Sequence, residues 1–136
     1  MWARALCAAL NHNPAYQKAA RQWEGDVLLV MRLSEHPDAN RSPAPFYAVY
    51  LDLHHGQCRQ ARPGSSADLE NADYVLEAPV EVWKSLLDGN IDPLPAMMRG
   101  KLKLKKGKLS ILAKFAPAAK EIVASARTLE ASFPAP

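Results

Sequence analysis

The sequence predicts an α+β fold in which helices cover one sheet. Three observations lead there. The stretch FYAVYLDL (46–53) alternates Tyr47, Val49, Leu51 and Leu53 with Phe46, Ala48, Tyr50 and Asp52, the two-residue period of a strand. After Pro79 the apolar spacing becomes helical, with Val82, Trp83, Leu86 and Leu87 on one face. The order of elements is helices, an antiparallel-looking strand group, two helices, one strand, then helices, which segregates helices from most of the sheet.

Each element has its own local reason. Trp2, Leu6, Ala9 and Leu10 recur at helical spacing over 2–10. Asn13 followed by Pro14 predicts an N-cap and first turn for a second helix to about Gln22. Val27–Leu33 is short, apolar and rich in β-branched or large residues, a strand. Residues 34–45, SEHPDANRSPAP, hold three prolines and several turn formers, a loop. The strand at 46–53 is apolar on both faces over its first half, which places it inside the sheet. GQCRQARPGS continues past Gly56 as its polar hairpin partner at an exposed edge. A further short strand spans Tyr74–Glu77 and ends at Pro79. Gly89 stops the helix that carries Trp83, and Asp92–Pro93 starts another that Gly100 stops. Lys101–Lys105 alternates as a strand. Beyond Gly107, Leu109, Ile111, Leu112 and Phe115 form an apolar stripe, and Pro117 opens a last helix with Ala119, Ile122, Val123, Ala126 and Leu129 inward. Residues 132–136 read as a frayed tail.

The 136 residues fit one domain, 1–136, with the N-terminal helices in 1–22. At 49% hydrophobic and 23% charged the composition is that of a folded globular chain. A net charge of +3 is too mild to argue for nucleic acid. The opening MWARALCAAL is an amphipathic helix rather than a signal peptide, because its apolar run is short and HNP follows at once. No run approaches the ~18 apolar residues of a membrane span. Cys7 and Cys58 are too few for a disulfide framework or a zinc site, and two reduced thiols in a soluble, cytoplasmic protein are expected.

Catalytic and metal chemistry find little purchase. His54 and His55 are adjacent on a strand and so point to opposite faces, which would keep them from sharing a metal. His12 and His36 lie in turn-rich loops, without Cys, Asp or Glu at ligand spacing, and no metal is expected. There is no Gly-x-Ser-x-Gly elbow and no phosphate-cradling glycine loop, and Ser65 and Ser66 lack a local base. Asp52 is the one candidate for a perturbed acid, against the plainer reading of a surface residue at a strand end. No enzyme activity and no cofactor are expected.

The stretch from Ala72 to Phe115 resembles the sterol carrier protein 2-like (SCP2) family. It carries Trp83, the Leu86–Leu87–Gly89 helix end, Asp92–Pro93, Ala96, Gly100–Lys101, and Leu102 with Leu104, in the family's order. WEGDVLLVMRL and FYAVYLDLHHGQC are similar to its first strands, and the two N-terminal helices to those of its small bacterial members. The resemblance implies a five-stranded, mainly antiparallel sheet with helices across one face. It further implies an apolar tunnel between them for fatty acids, acyl-CoA, phospholipid or sterol-like lipids, and no catalysis. The chain ends in Ala135–Pro136, so no peroxisomal address is recognised.

Two features need weighing within that reading. Leu94, Met97 and Met98 are spaced i, i+3, i+4 and should share an inward face. They read as core or, because Met adapts to differently shaped ligands, as tunnel lining. The same choice applies to Trp83, Leu87, Leu102, Leu104, Leu112 and Phe115. Lys101, Lys103 and Lys105 should share one strand face, with Lys106 and Lys108 extending the charge. They read as a solvated edge protected from aggregation, or as a dock for an anionic head group or membrane surface. No aromatic side chain interleaves them, which argues against nucleic acid. The partners expected are therefore a lipid or fatty-acyl ligand and a transient anionic membrane contact. An interaction module whose apolar groove holds a partner helix is the alternative from another class.

Overall fold

The computed structural model describes residues 2–32 and 46–129. The loop expected at 34–45, with His36, and the tail expected at 132–136 lie outside the described residues. Helix α1 (Trp2–Asn11) buries Ala3, Leu6 and Leu10. Helix α2 (Pro14–Ala19) starts as expected: the Asn13 carboxamide oxygen accepts the Tyr16 N–H at 3.1 Å. It is shorter than the sequence suggests, because the chain turns at Ala20–Gln22 to carry Trp23 into the core.

The sheet contains β1 (Glu24–Arg32), β2 (Phe46–His54), β3 (Gln57–Pro63), β4 (Tyr74–Pro79) and β5 (Lys103–Lys106) in the order β3-β2-β1-β4-β5. Neighbours pair antiparallel except β1 and β4, which run parallel. The expected α+β class and mainly antiparallel five-stranded sheet are observed. The hairpin between β2 and β3 turns on two residues of positive φ, His55 (49°) and Gly56 (83°). A Cβ on Gly56 would stand 2.5 Å from the Gln17 carbonyl oxygen, so this turn is pressed against α2.

One face of the sheet carries the main core. Val27, Leu29 and Met31 of β1 and Val49, Leu51 and Leu53 of β2 meet α1, α2, α4 (Val80–Leu87), α5 (Pro93–Met98), α6 (Leu109–Lys114) and α7 (Ala116–Arg127) there. The alternate residues Leu28, Val30 and Ala48 form a smaller cluster on the opposite face with Ala72, Val75 and Leu69. That face is covered in part by α3 (Ser66–Asn71), a helix not expected from the sequence. It is started by Asp68, whose carboxylate accepts the Ser65 N–H at 2.8 Å. Gly64 leads into it so closely that a Cβ would stand 2.5 Å from Leu28 Cδ1.

Cys7 and Cys58 are joined by a disulfide, with Cα atoms 5.3 Å apart, which corrects the expectation of two reduced thiols. The cause is tertiary: α1 lies along edge strand β3, and Asn11 fixes the register there. Its Nδ2 donates to the Cys58 carbonyl at 2.9 Å, and its Oδ1 accepts the Cys58 N–H at 2.8 Å. The expected cytoplasmic location loses the support of free thiols. No helix of the described residues is long and apolar enough to cross a membrane.

Candidate functional site

Between the sheet and its main helical layer lies a cavity of about 80 Å³. Its floor is sheet: Val27, Leu29, Leu51, Leu53 and Leu76, each on the core side of its strand. Trp83 and Leu86 of α4, Pro93 and Leu102 close one side, while Tyr16, Ala20 and Trp23 close another. The roof is α6 and α7, through Leu112, Phe115, Ala118, Ala119, Ile122 and Val123. Leu112 and Ala118 are buried, but Phe115, Ala119, Ile122 and Val123 are only half-buried, so the wall next to solvent is this roof.

The lining is apolar save for three groups, and two of those are already engaged. Trp23 Nε1 donates to the Gly25 carbonyl at 2.9 Å, and Trp83 Nε1 donates to the Val30 carbonyl at 3.0 Å. Those bonds lock both indoles with their rings toward the cavity, and Phe115 stands edge-on to Trp23 at 5.0 Å between centroids. The third group is the Tyr16 hydroxyl, whose pKa burial pushes up to about 12, so it stays protonated. Among the described residues, no carboxylate, lysine, arginine or histidine lines this cavity.

The fastening of the roof is uneven. The C-terminal half of α7 is tied down: Asn13 Nδ2 donates to Ser125 Oγ at 2.8 Å, and Arg127 Nε donates to the Leu87 carbonyl at 2.6 Å. Among the described residues, no side-chain hydrogen bond or salt bridge ties α6 or the first turn of α7 to the rest of the chain.

A sequence profile of the SCP-2 sterol transfer family matches residues 5–120. The chain belongs to this family. Among solved structures, a crystal structure of sterol carrier protein 2 superposes with a TM-score of 0.79 at 44% identity, over 94% of this chain and 95% of that one. The solution structure of a conserved hypothetical protein of Thermus thermophilus, possibly sterol carrier protein, gives 0.77 at 45%, over 93% and 84%. The apo sterol carrier protein 2 of Yarrowia lipolytica, at 18% identity over 93% of this chain and 89% of that one, shares the fold with a TM-score of 0.59. No curated protein matches the chain. Membership carries lipid binding and transfer as the general function of an SCP2 domain, typically without catalysis.

The SCP2 cavity takes up only some of the residues expected for it. Trp83, Leu102, Leu112 and Phe115 line it. Leu87, Met97 and Leu104 pack against the core elsewhere, and Leu94 is half-buried outside both. Met98 is 75% exposed, which corrects the expected inward face of α5. The helix has six residues and turns Pro93 and Ala96 inward instead. Tyr16, Trp23 and the sheet floor were not expected, although the apolar run of β1 and the alternation of β2 made the burial of the floor legible.

The lysines are also redistributed. Lys101 stands outside β5, because the Ala96 carbonyl accepts both the Lys101 N–H (2.9 Å) and the Leu102 N–H (3.2 Å) as α5 ends. Lys103 pairs with Glu77, and a register shift after Leu104 brings Lys106 opposite Val75, on the face away from the cavity. Lys106 Nζ donates to the Glu70 carbonyl of α3. Lys101, Lys103, Lys105 and Lys108 are exposed. The sheet thus separates the strand lysines from the cavity.

Two further sequence candidates resolve into ordinary chemistry. Asp52 faces away from the cavity and pairs with Arg59 at 3.0 Å. His54 and His55 do not diverge, because the left-handed backbone of His55 folds its ring back onto that of His54, 3.9 Å away and 20° from parallel. With Glu24 they bring three ligand-capable atoms within 4.8 Å of one another. Within that trio His55 Nε2 is engaged with Glu24 at 2.7 Å. The trio is a solvent-facing polar cluster as it stands.

Proposed function

We propose that this SCP2 domain binds the hydrocarbon portion of one lipid, a fatty-acyl, phospholipid or sterol-like molecule, in the cavity under α6–α7, and carries it without chemical change. The observation that carries this reading is a cavity whose wall is all but wholly apolar and whose few polar atoms are neutral. Such a wall attracts hydrocarbon at about 0.8 kcal/mol per buried CH₂ and offers no activated nucleophile or base. At about 80 Å³ the cavity is smaller than the ~300–1,000 Å³ of a typical ligand site, so a lipid enters only if the roof lifts. The unfastened α6 and first turn of α7 are the segment free to do so. Lys101, Lys103, Lys105, Lys106 and Lys108 serve docking: they face outward, where each basic group near an anionic membrane adds about 1 kcal/mol.

The test is direct. Native mass spectrometry and solvent extraction of the purified protein should find lipid, and a fluorescent fatty acid should bind at micromolar concentration and quench Trp23 and Trp83. Absence of both copurified lipid and probe binding would sink the carrier reading. Charge reversal at Lys103 and Lys105 should slow transfer to anionic vesicles while leaving probe affinity unchanged.

A further inference from the structure

Tyr16 is 1% exposed and borders the cavity, yet its bonds are made by its backbone. Its N–H donates to Asn13 Oδ1 at 3.1 Å, and its carbonyl accepts the Ala20 N–H at 2.8 Å. Among the described residues its hydroxyl has no hydrogen-bond partner. The residue is buried, yet the hydroxyl oxygen is not among the fully enclosed unpartnered atoms of the described residues, so it keeps a small accessible surface that a ligand atom can reach. The two indole N–H groups of the same cavity show the contrast, each being satisfied by a backbone carbonyl. Among the described residues that line the cavity, the Tyr16 hydroxyl is therefore the side-chain polar group left available to something other than the protein.

The chemistry of that something follows from the rest of the wall. The hydroxyl keeps its proton and can donate to an oxygen acceptor or accept from a hydroxyl. Among the described residues no cationic side chain lines the cavity to neutralise an anion, and burying an unpaired carboxylate is far costlier than burying a neutral oxygen. Resting on the lipid-binding reading, we infer that Tyr16 is a specificity-determining residue: its hydroxyl hydrogen-bonds one uncharged oxygen, a hydroxyl or carbonyl, on the buried part of the lipid. The class selected is an amphiphile with a neutral oxygen function. Ligands whose polar group is a carboxylate or phosphate must leave that group outside, on the solvent side of the roof.

Three compounds of equal chain length, decanol, decane and decanoate, separate the cases by displacement of a fluorescent probe at neutral pH, against wild type and Tyr16→Phe. Wild type should prefer decanol to decane by about five- to tenfold, the value of one net hydrogen bond. Tyr16→Phe should abolish that preference, leave decane affinity unchanged, and leave decanoate unchanged and weakest relative to decanol in wild type. Because the apo hydroxyl has no partner, the variant should melt at or above the wild-type temperature, a readout that a structural role would move the other way. Equal decanol and decane affinities in wild type, a decanol preference that survives Tyr16→Phe, or a lowered melting temperature would overturn the assignment while lipid binding stands. Failure of wild type to bind any of the three, or the probe, would overturn both.

Discussion

Replacing Cys7 and Cys58 together with serine removes a cross-link whose value can be worked from its position. The bond spans a sequence separation of 51 residues, from the first helix to edge strand β3. Loop-closure entropy for about 50 residues comes to roughly 14 cal/mol/K, or about 4 kcal/mol at room temperature, lost from the unfolded state when the bond is present. At about 2.1 cal/mol/K of unfolding entropy per residue, this chain loses about 14 °C in melting temperature for that change. The native contacts survive the substitution: Ala3, Leu6 and Leu10 remain buried, and Asn11 keeps both of its bonds to Cys58's backbone position. The variant should therefore fold with an unchanged circular dichroism spectrum and simply melt earlier. Thermal melts of wild type with and without a reductant, beside the double variant, give the measurement. Reduced wild type and the variant should coincide. A shift below about 3 °C, together with two alkylatable thiols in the untreated protein, would refute the pairing and restore the free thiols expected from composition.

Four other variants test local features of the structure, each read by urea denaturation. Gly107→Ala should cost about 3 kcal/mol or more, since φ there is 112° and the new Cβ would overlap the Tyr74 ring; Gly100→Ala, with φ 76° and open space around it, should cost about 1–2 kcal/mol. Trp83→Phe should cost about 1–3 kcal/mol by leaving the buried Val30 carbonyl without its donor. Arg62, hydrogen-bonded to Asp68 through both terminal nitrogens at 2.8 and 2.9 Å, holds that carboxyl down from 3.8 to about 2. A depressed carboxyl stabilises above its unfolded pKa, so this contribution should be complete above about pH 4 and disappear as pH falls through about 2. In Asp68→Asn that acid-dependent loss should vanish.

What was legible in the sequence was what neighbouring residues decide among themselves. Asn13–Pro14, Asp92–Pro93, Gly89 and Gly100 set helix ends by backbone chemistry within one turn, and each end falls where that chemistry puts it. Even α3 had such a signal, since Ser65 and Asp68 stand at capping-box spacing, although GSS reads as loop on composition alone. What was not legible depends on the packing of distant elements. The disulfide needs α1 laid along β3, and no spacing between Cys7 and Cys58 encodes that. Met98 is outward because it lies two residues from buried Ala96, which puts it on the opposite side of the helix. His55 escapes the strand alternation because the hairpin turns on it, and left-handed backbone re-aims its side chain.

The cavity belongs to the second kind, and its size is the informative part. Apolar spacing at Trp23, Trp83, Leu112 and Phe115 specifies burial, not whether the buried surfaces touch. A cavity of about 80 Å³ beside the core forgoes packing contacts that its lining would otherwise make. A larger side chain at Ala20, Ala118 or Ala119 would begin to fill it, and these three small residues line it side by side with large ones. A core selected for stability alone has every opportunity to close by such a step, at a gain of roughly one methylene's transfer energy each. The alanines instead leave the roof lightly packed over α6 and the start of α7, the same segment that lacks polar fastening among the described residues. Incomplete packing and missing hydrogen bonds at one place lower the free energy of local opening there before they lower global stability. On the proposed lipid-binding reading, the cavity is the closed end of an opening roof rather than a pocket of fixed volume. Bound hydrocarbon would recover the packing that the alanines forgo.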